Sequence, residues 1–239
     1  MSIYGGNLEV RQITFPNGTQ MGRVLGVYVG TTRIFPPAGR TEEYLFTVGA
    51  TGGIASGNQV RFNPAVPWWA VAVDVVAIGG GGGGHGGDGG MNRDGQGGRA
   101  AAWKSGTIDL TQAEGDLLNT FAVLVGKGGV GGPKEQPGTV GAESKVSYGM
   151  QFGPSISSPG GAGGSSYSDA TGQSAGSLTM FGMSFSGGAG GSREQPGRNP
   201  GAGGGGGRGG TFGGATAGAA GGNGSVWIRF RSESAVNPG

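Results

Sequence analysis

Apolar side chains alternate with polar or small ones in several short stretches of the chain, and this period of two is typical of β-strands. The clearest stretch carries Trp69, Val71 and Val73 on one face. Comparable stretches occupy residues 44–48, 60–62, 121–125, 146–150, 181–185 and 226–230. Residues 111–119 hold the only pattern that favours a helix, and a glycine in its middle weakens that helix. We therefore expect a mainly β fold of β-sandwich or jelly-roll-like strands, with almost no α-helix.

Glycine runs separate these stretches. Of the 239 residues 62 are glycine, and blocks such as 79–84 and 203–207 contain nothing else. Glycine has the most backbone entropy to lose on folding, so a low-complexity elastic protein is one interpretation. The interleaved strands are unlike a Gly/Ser linker, and collagen would need glycine at every third position. Two ordered alternatives are loops between strands, and polyglycine-II helices with three residues per turn that hydrogen-bond side by side.

Composition divides the chain into three parts. Residues 1–40 contain two short β-like pieces, each followed by proline, and are too few to bury a core of their own. We expect this segment to attach to another chain through a Pro-rich linker. Its candidate assembly contacts are Tyr28, Ile34 and Phe35. Residues 41–231 form the glycine-rich β domain, and the polar residues 232–239 form a flexible tail.

Charge and residue content make several classes of chemistry unlikely. There are 16 Lys and Arg against 14 Asp and Glu, which gives no electrostatic reason to expect nucleic acid as a partner. The chain has no cysteine and one histidine, so a metal site and a catalytic triad lack residues. The glycine runs lack the flanking residues of a P-loop or a dinucleotide-binding motif, so we expect no cofactor and no enzyme activity. No apolar stretch approaches 20 residues, and the N-terminus lacks a basic region followed by an apolar one, so we expect neither a membrane span nor a signal peptide.

One eight-residue motif occurs twice. Gly131-Gly-Pro-Lys-Glu-Gln-Pro-Gly138 returns 59 residues later as Gly190-Gly-Ser-Arg-Glu-Gln-Pro-Gly197, with six positions identical. Proline stiffens a turn, so we interpret both copies as exposed loop tips. They are either equivalent turns in neighbouring structural layers or contact sites. The candidate tip residues are Lys134, Glu135, Gln136, Arg193, Glu194 and Gln195.

Several longer motifs resemble one protein family. They are the stretch Pro-Trp-Trp-Ala-Val-Ala-Val-Asp-Val-Val-Ala-Ile at 67–78 with the glycine block after it, residues 97–103, 123–129 and 221–230, and Val-Tyr-Val-Gly-Thr-Thr-Arg-Ile-Phe-Pro at 27–36. Over about residues 20–231 the chain resembles the glycine-rich domain of phage minor tail proteins, above all those of phages that infect actinobacteria.

The resemblance implies a structural or receptor-binding component of a tail tip or fibre. Such a protein is made in the host cytoplasm and resides in the virion, where the N-terminal segment would bind other tail proteins. A homo-oligomer is expected, with a trimer as the natural number. Polyglycine-II bundles occur in other phage adhesins, which favours the same architecture here.

Aromatic residues near glycine-rich turns are candidates for binding a host cell-wall glycan. An exposed aromatic ring offers a large rigid face to a sugar, although such rings also serve as packing anchors. The candidate contacts are Trp103, Tyr148, Tyr167 and Phe212. A stand-alone carbohydrate-binding module is therefore an alternative to the tail protein, beside the elastic structural protein.

Overall fold

Most of the strands expected from the alternating pattern are present in a computed structural model that describes residues 27–29, 32–35, 39–67, 69–110, 121–149 and 153–233. Thirteen strands lie in this part of the chain: β1 Val27–Val29, β2 Thr32–Phe35, β3 Thr41–Thr47, β4 Ile54–Ser56, β5 Gln59–Phe62, β6 Ala72–Ile78, β7 Trp103–Asp109, β8 Phe121–Gly126, β9 Ser144–Tyr148, β10 Ser155–Ser158, β11 Leu178–Met180, β12 Met183–Phe185 and β13 Ser225–Arg231. The mainly β fold is confirmed. The helix expected at 111–119 lies outside the described residues.

Two antiparallel sheets face each other and enclose the core. One has the strand order β3-β13-β6-β7, and the other has the order β10-β9-β8-β5-β4. Val73, Val75 and Ala77 of β6 point into the core because alternate residues of a strand share a face. The opposite sheet contributes a matching set from β8 and β9, which comprises Phe121, Val123, Val125, Val146 and Tyr148. These strands form the β-sandwich that the sequence predicts.

The outer face of the four-stranded sheet is partly covered by a small hairpin. Residues 181–185 were expected to be one strand, but Phe181 and Gly182 adopt positive φ angles of 54° and 75° and turn the chain between β11 and β12. That expectation is wrong, because alternation alone does not reveal a tight turn. The rings of Phe181 and Phe185 pack 6.3 and 5.3 Å from that of Trp227 on β13.

A buried carboxylate lies on the same outer face. Asp74 of β6 has a side chain only 1% exposed, and its Oδ2 lies 2.8 Å from Arg229 Nη2 and 2.8 Å from Arg231 Nε, both on β13. Thr107 Oγ1 on β7 donates a further hydrogen bond of 2.8 Å to Asp74 Oδ1. The ion pairs join the two central strands of the sheet.

The glycine runs form a lattice that continues from the sandwich. The run of residues 79–88, here called the central run, directly follows β6. Its backbone amides donate hydrogen bonds of 2.8 to 2.9 Å to three neighbouring runs in strict rotation. Gly80, Gly83 and Gly86 bond to Ala142, Thr139 and Gln136; Gly81, Gly84 and Gly87 to Gly222, Ala219 and Thr216; Gly82, His85 and Asp88 to Arg99, Gln96 and Arg93.

The carbonyls of the central run accept hydrogen bonds from three further runs. The donors are Gly161 and Gly164 in one run, Gly129, Gly132 and Glu135 in another, and Gly204, Gly207 and Gly210 in the third. A repeat of three residues and six hydrogen-bonded neighbours define polyglycine-II packing, since an isolated helix of this type has no internal hydrogen bonds. Of the two ordered alternatives, the lattice is therefore correct and the loops are not.

Glycine is required in this lattice because the neighbouring backbones lie where a Cβ would be. A Cβ built on Gly81 would lie 1.9 Å from the carbonyl oxygen of Ala202, and one on Gly84 would lie 2.1 Å from that of Gly205. The second central run, residues 201–209, is packed in the same way, and a Cβ on Gly203 would lie 1.9 Å from Gly98 O. Dense backbone hydrogen bonding thus replaces side-chain packing in this half of the domain.

The runs alternate in direction and form five hairpins whose turns meet at one end. The turns comprise residues 89–92, 134–135, 165–168, 193–194 and 209–214 and are here called the distal tips. The amides of Glu135, Glu194 and Gly210 bond to carbonyls near the ends of the two central runs, at Gly87, Gly206 and Asp88 respectively. This register places the distal tips together at the end of the lattice remote from the sandwich.

Near the N-terminus, β1 and β2 pair as an antiparallel hairpin. The side chains of the candidate assembly contacts Tyr28, Ile34 and Phe35 lie outside the described residues. In the part of the chain that the structure describes, no helix combines the length and apolar character needed to cross a membrane.

Candidate functional site

The two copies of the repeated motif form equivalent distal tips. Glu135 and Glu194 have φ angles of 61° and 63°, the left-handed region that non-glycine residues rarely adopt. In each copy the following glutamine amide closes the turn, through bonds of 3.0 Å from Gln136 to Pro133 O and 2.8 Å from Gln195 to Ser192 O. Lys134, Glu135, Arg193 and Glu194 therefore occupy turns at the distal end, each turn bonded to one of the two central runs.

Phe212 is displayed at another distal tip. Its side chain is fully exposed, and its φ angle of 53° is unusual for a bulky residue. The tip is held on both sides, because Gly213 donates to Gly89 O at 3.1 Å and Lys134 Nζ donates to Gly213 O at 2.9 Å. Met91, 72% exposed, lies on the neighbouring tip. The Phe212 ring therefore contributes nothing to the core, and its backbone has a conformation that bulky residues rarely adopt.

A cavity of about 510 Å³ opens between the distal tips. Its lining includes three arginines, Arg193 in one tip and Arg93 and Arg208 directly beside two others, together with Asn92, Asp94 and Tyr167. These residues are up to 116 positions apart in sequence, and only the register of the runs brings them together.

The first arginine is held rigidly. Arg93 Nε and Nη2 donate to Asp88 Oδ2 at 2.9 and 2.7 Å, and the guanidinium lies 4.6 Å from the centre of the Tyr167 ring. The amide of Gly90 donates to Asp88 Oδ1 at 2.8 Å. This amide bond first, and the bond from Arg93 second, lower the pKa of Asp88 to about 2. The carboxylate therefore remains charged and continues to position Arg93 well below neutral pH.

The second arginine is paired and the third is not. Arg193 Nη1 donates to Asp94 Oδ2 at 2.9 Å, and the amide of Gly209 donates to Asp94 Oδ1 at 2.7 Å. The Gly209 amide, followed by the guanidiniums of Arg193 and Arg208, lowers the pKa of Asp94. Within the described residues no carboxylate lies within ion-pair distance of Arg208, whose side chain is exposed. The cavity thus has three guanidiniums and the carboxylate of Asp94 in its lining, with the Asp88 carboxylate bonded to Arg93 beside it.

The only histidine contributes to packing at this end of the lattice. His85 is 4% exposed, its Nδ1 lies 2.5 Å from Gly86 O, and its ring packs edge-on against Tyr167 at 4.8 Å. Asp88, three residues later, is bonded to Arg93. Across the described ranges, no group of three or more His, Cys, Asp or Glu side chains is arranged to hold a metal ion.

The four aromatic candidates lie in different places. Tyr167 and Phe212 are at the distal tips. Trp103, in β7, belongs to the sandwich end, where its Nε1 donates to Gly176 O at 2.5 Å and its ring lies 6.1 Å from Phe185. Tyr148 is 4% exposed and lies in the core, so the expectation that its ring contacts a glycan is wrong. The alternating pattern predicts that Tyr148 and Val146 share one face of a strand, and in the structure that face is buried.

Sequence reasoning missed the arginine cavity. Arg93, Arg193 and Arg208 each follow a glycine run, and a search for cations at the ends of these runs would have found them. The three arginines come together because of which runs pack side by side. The sequence does not reveal that arrangement, because the glycine runs are chemically alike.

Comparison with known proteins concerns this same glycine-rich region. A search of curated proteins finds no match. A family model described as a glycine-rich domain matches residues 55–193, which is more than half of the chain and extends from β4 to the tip of the second motif copy. The chain therefore belongs to the glycine-rich domain family.

Proposed function

We propose that this chain is a structural minor tail protein of a phage virion, a tail tip or fibre component that contacts the host surface through its distal tips. The observation that carries the proposal is Phe212, a fully exposed aromatic ring held on a strained turn at the end of a rigid lattice. The motifs that resemble those of phage minor tail proteins support this choice of class. The distal tips supply a surface for contact.

The lattice is suited to a structural role in which it holds the distal tips in fixed positions. Each residue of the central run from Gly80 to Asp88 donates a backbone hydrogen bond to a neighbouring run, so the tips are ordered before a partner arrives. Ordering side chains and loops during association costs about 0.5–1.5 kcal/mol per immobilised side chain, and a preformed surface avoids that cost. An elastic low-complexity protein would lack such a network, so the structure disfavours that alternative.

The two ends of the domain have different roles in this proposal. The distal tips face the host, whereas residues 1–40 attach the chain to other tail proteins, with several copies, in the simplest case three, assembled around the tail axis. The protein acts by binding and as a structural part, without catalysis.

Location and adsorption test the proposal. Mass spectrometry of purified virions should detect the chain, and removal of residues 1–35 should abolish its incorporation. Virions that carry Phe212→Ser should assemble normally but bind host cells at least about tenfold more weakly at equilibrium, because an aromatic anchor of an interface contributes about 2 kcal/mol or more.

A matched control is Val130→Ser. Val130 is an apolar residue with 67% of its surface exposed, and it lies within a glycine run and not in a distal tip. Its replacement should therefore leave adsorption unchanged. A chain that is absent from virions would refute the tail assignment. A chain that is present in virions whose Phe212→Ser variant adsorbs normally would refute the role of the tips. If the chain is absent from virions but binds sugars, it is the stand-alone carbohydrate-binding module.

A further inference from the structure

We propose that the arginine cavity at the distal tips binds an anionic sugar residue, one that carries a carboxylate or a phosphate group. The inference deepens the proposed function and rests on it for the source of the sugar, a polymer on the host surface. Four of the five distal tips or their flanking residues line the cavity, including Asn92, Ser168, Arg193 and Gly209. Its volume of about 510 Å³ is in the range of small-ligand sites.

The charges in the cavity favour an anion. Both nearby carboxylates are already paired: Asp88 accepts bonds from Gly90, Met91 and Arg93, and Asp94 accepts bonds from Gly209 and Arg193. The charge of each carboxylate is therefore already matched by one guanidinium. The arginines do have unused donors, because a guanidinium carries five N–H groups, of which Arg93 uses two and Arg193 one on these carboxylates.

Arg208 supplies the unpaired positive charge. Its side chain makes no hydrogen bond or ion pair within the described residues. Arg208 is exposed and directly follows seven buried residues, 201–207. Like charges brought together by folding repel one another, and a bound anion relieves that repulsion. Planar guanidiniums match the two oxygens of a carboxylate or phosphate, which makes arginine the suitable residue for this ligand.

The remaining lining fits the rest of a sugar. Asn92 and Ser168 offer a side-chain amide and a hydroxyl, which can bond to ring hydroxyls. Tyr167 holds Arg93 by stacking and is itself held by the edge of His85, so the cationic wall is fixed before the ligand enters. A preorganised polar site of this kind discriminates by charge, because an uncharged sugar leaves the guanidiniums unneutralised.

Calorimetric titration of the full chain tests the inference with four probes: D-glucuronic acid, glucose 6-phosphate, glucose and a triglutamate peptide. We expect the two anionic sugars to bind and glucose to bind at least about tenfold more weakly. The relative affinity of glucuronic acid and glucose 6-phosphate shows which anionic group the cavity prefers. Binding of triglutamate as tight as that of the sugars would overturn the proposal in favour of an acidic protein segment.

The key variant is Arg208→Ala. It should lower the affinity for the anionic sugars about tenfold with little change in the melting temperature, since the exposed Arg208 side chain makes no hydrogen bond or ion pair within the described residues. The matched control is Arg198→Ala, which removes the same charge from an exposed residue at the opposite end of the lattice and should change neither property. Equal affinities of the Arg208→Ala variant and the parent, or no binding of either anionic sugar, would overturn the inference.

Adsorption separates this inference from the proposed function. If Phe212→Ser virions lose adsorption while Arg208→Ala virions adsorb normally, the tail assignment stands and the sugar site is refuted. If the chain binds anionic sugars through Arg208 but is absent from virions, the site stands and the tail assignment is refuted.

Discussion

A single methyl group in the central run tests the lattice most directly. A Cβ on Gly82 would lie 1.9 Å from the carbonyl oxygen of Ala162, so that backbone must retreat by about 1.1 Å before the contact reaches even 3.0 Å. That oxygen already accepts a hydrogen bond of 2.8 Å from the amide of Arg99. No flexible side chain is present to absorb the movement, and the strain passes directly to the neighbouring runs.

The expected magnitude follows from the bonds that this movement disturbs. They are the bond to Ala162 O, the bond of 2.9 Å from Gly82 to Arg99 O, and the bond of 2.9 Å from Gly204 to Gly82 O. Three bonds at roughly 1 kcal/mol each, plus about 1–3 kcal/mol for overpacking, predict that Gly82→Ala lowers the free energy of unfolding by about 4–6 kcal/mol. The melting temperature should fall by about 10–20 °C.

The assay is denaturant unfolding followed by tryptophan fluorescence, with Gly176→Ala as the control. A Cβ on Gly176 meets nothing within 4 Å, so that variant should stay within about 0.5 kcal/mol of the parent or gain slightly from a less flexible unfolded chain. If Gly82→Ala also stays within about 0.5 kcal/mol of the parent, the explanation of the glycine runs by steric exclusion is refuted.

Three further predictions concern single side chains. Asp74→Asn should lower the free energy of unfolding by about 3–5 kcal/mol, measured by denaturant titration, because two arginines of β13 lose their buried counter-charge; a loss below 1 kcal/mol would contradict this. The folded-state pKa of Asp88, about 2, is below its ordinary 3.8, so its contribution to stability is present above about pH 4 and is lost as the pH falls towards 2. Asp88→Asn should therefore make the melting temperature fall less steeply in that window, and an unchanged slope would refute the assignment. Glu194→Gly should raise the free energy of unfolding by about 0.5–1 kcal/mol, because glycine adopts the positive φ of this position without strain. Glu135→Gly should raise it by less, because the Glu135 carboxylate accepts a hydrogen bond from the Gly89 amide that the variant loses. Equal gains of the two variants in thermal melts would argue against that bond.

The strands that the sequence predicts best carry large apolar side chains at every second position, on the face that packs into the core. β6, β8 and β13 pair on both sides and repeat apolar residues with a period of two, whereas β7 and β10 are edge strands and show little alternation. β10 reads Ser-Ile-Ser-Ser, with only partial burial, so no pattern marked it. The amphipathic signal weakens at an edge because fewer positions there are buried between the two sheets.

The lattice and the candidate site could be predicted only in part. The glycine blocks allowed polyglycine-II packing, and the repeated motif indicated turns, because both are local properties. Which run bonds to which is a property of the whole fold, since one glycine run is chemically the same as another. The meeting of Arg93, Arg193 and Arg208, and the burial of Tyr148, both follow from that assembly and not from any local pattern.

Each glycine run is a helix with three residues per turn, and this repeat restricts how the lattice can change in length. An insertion of one or two residues would rotate every later amide of the run away from its partner, whereas three residues restore the rotation and extend the run by about 9 Å. Neighbouring runs must grow by the same step to keep their own partners. Viable changes in the length of the lattice therefore come in steps of three residues, or nine bases, matched across its hairpins.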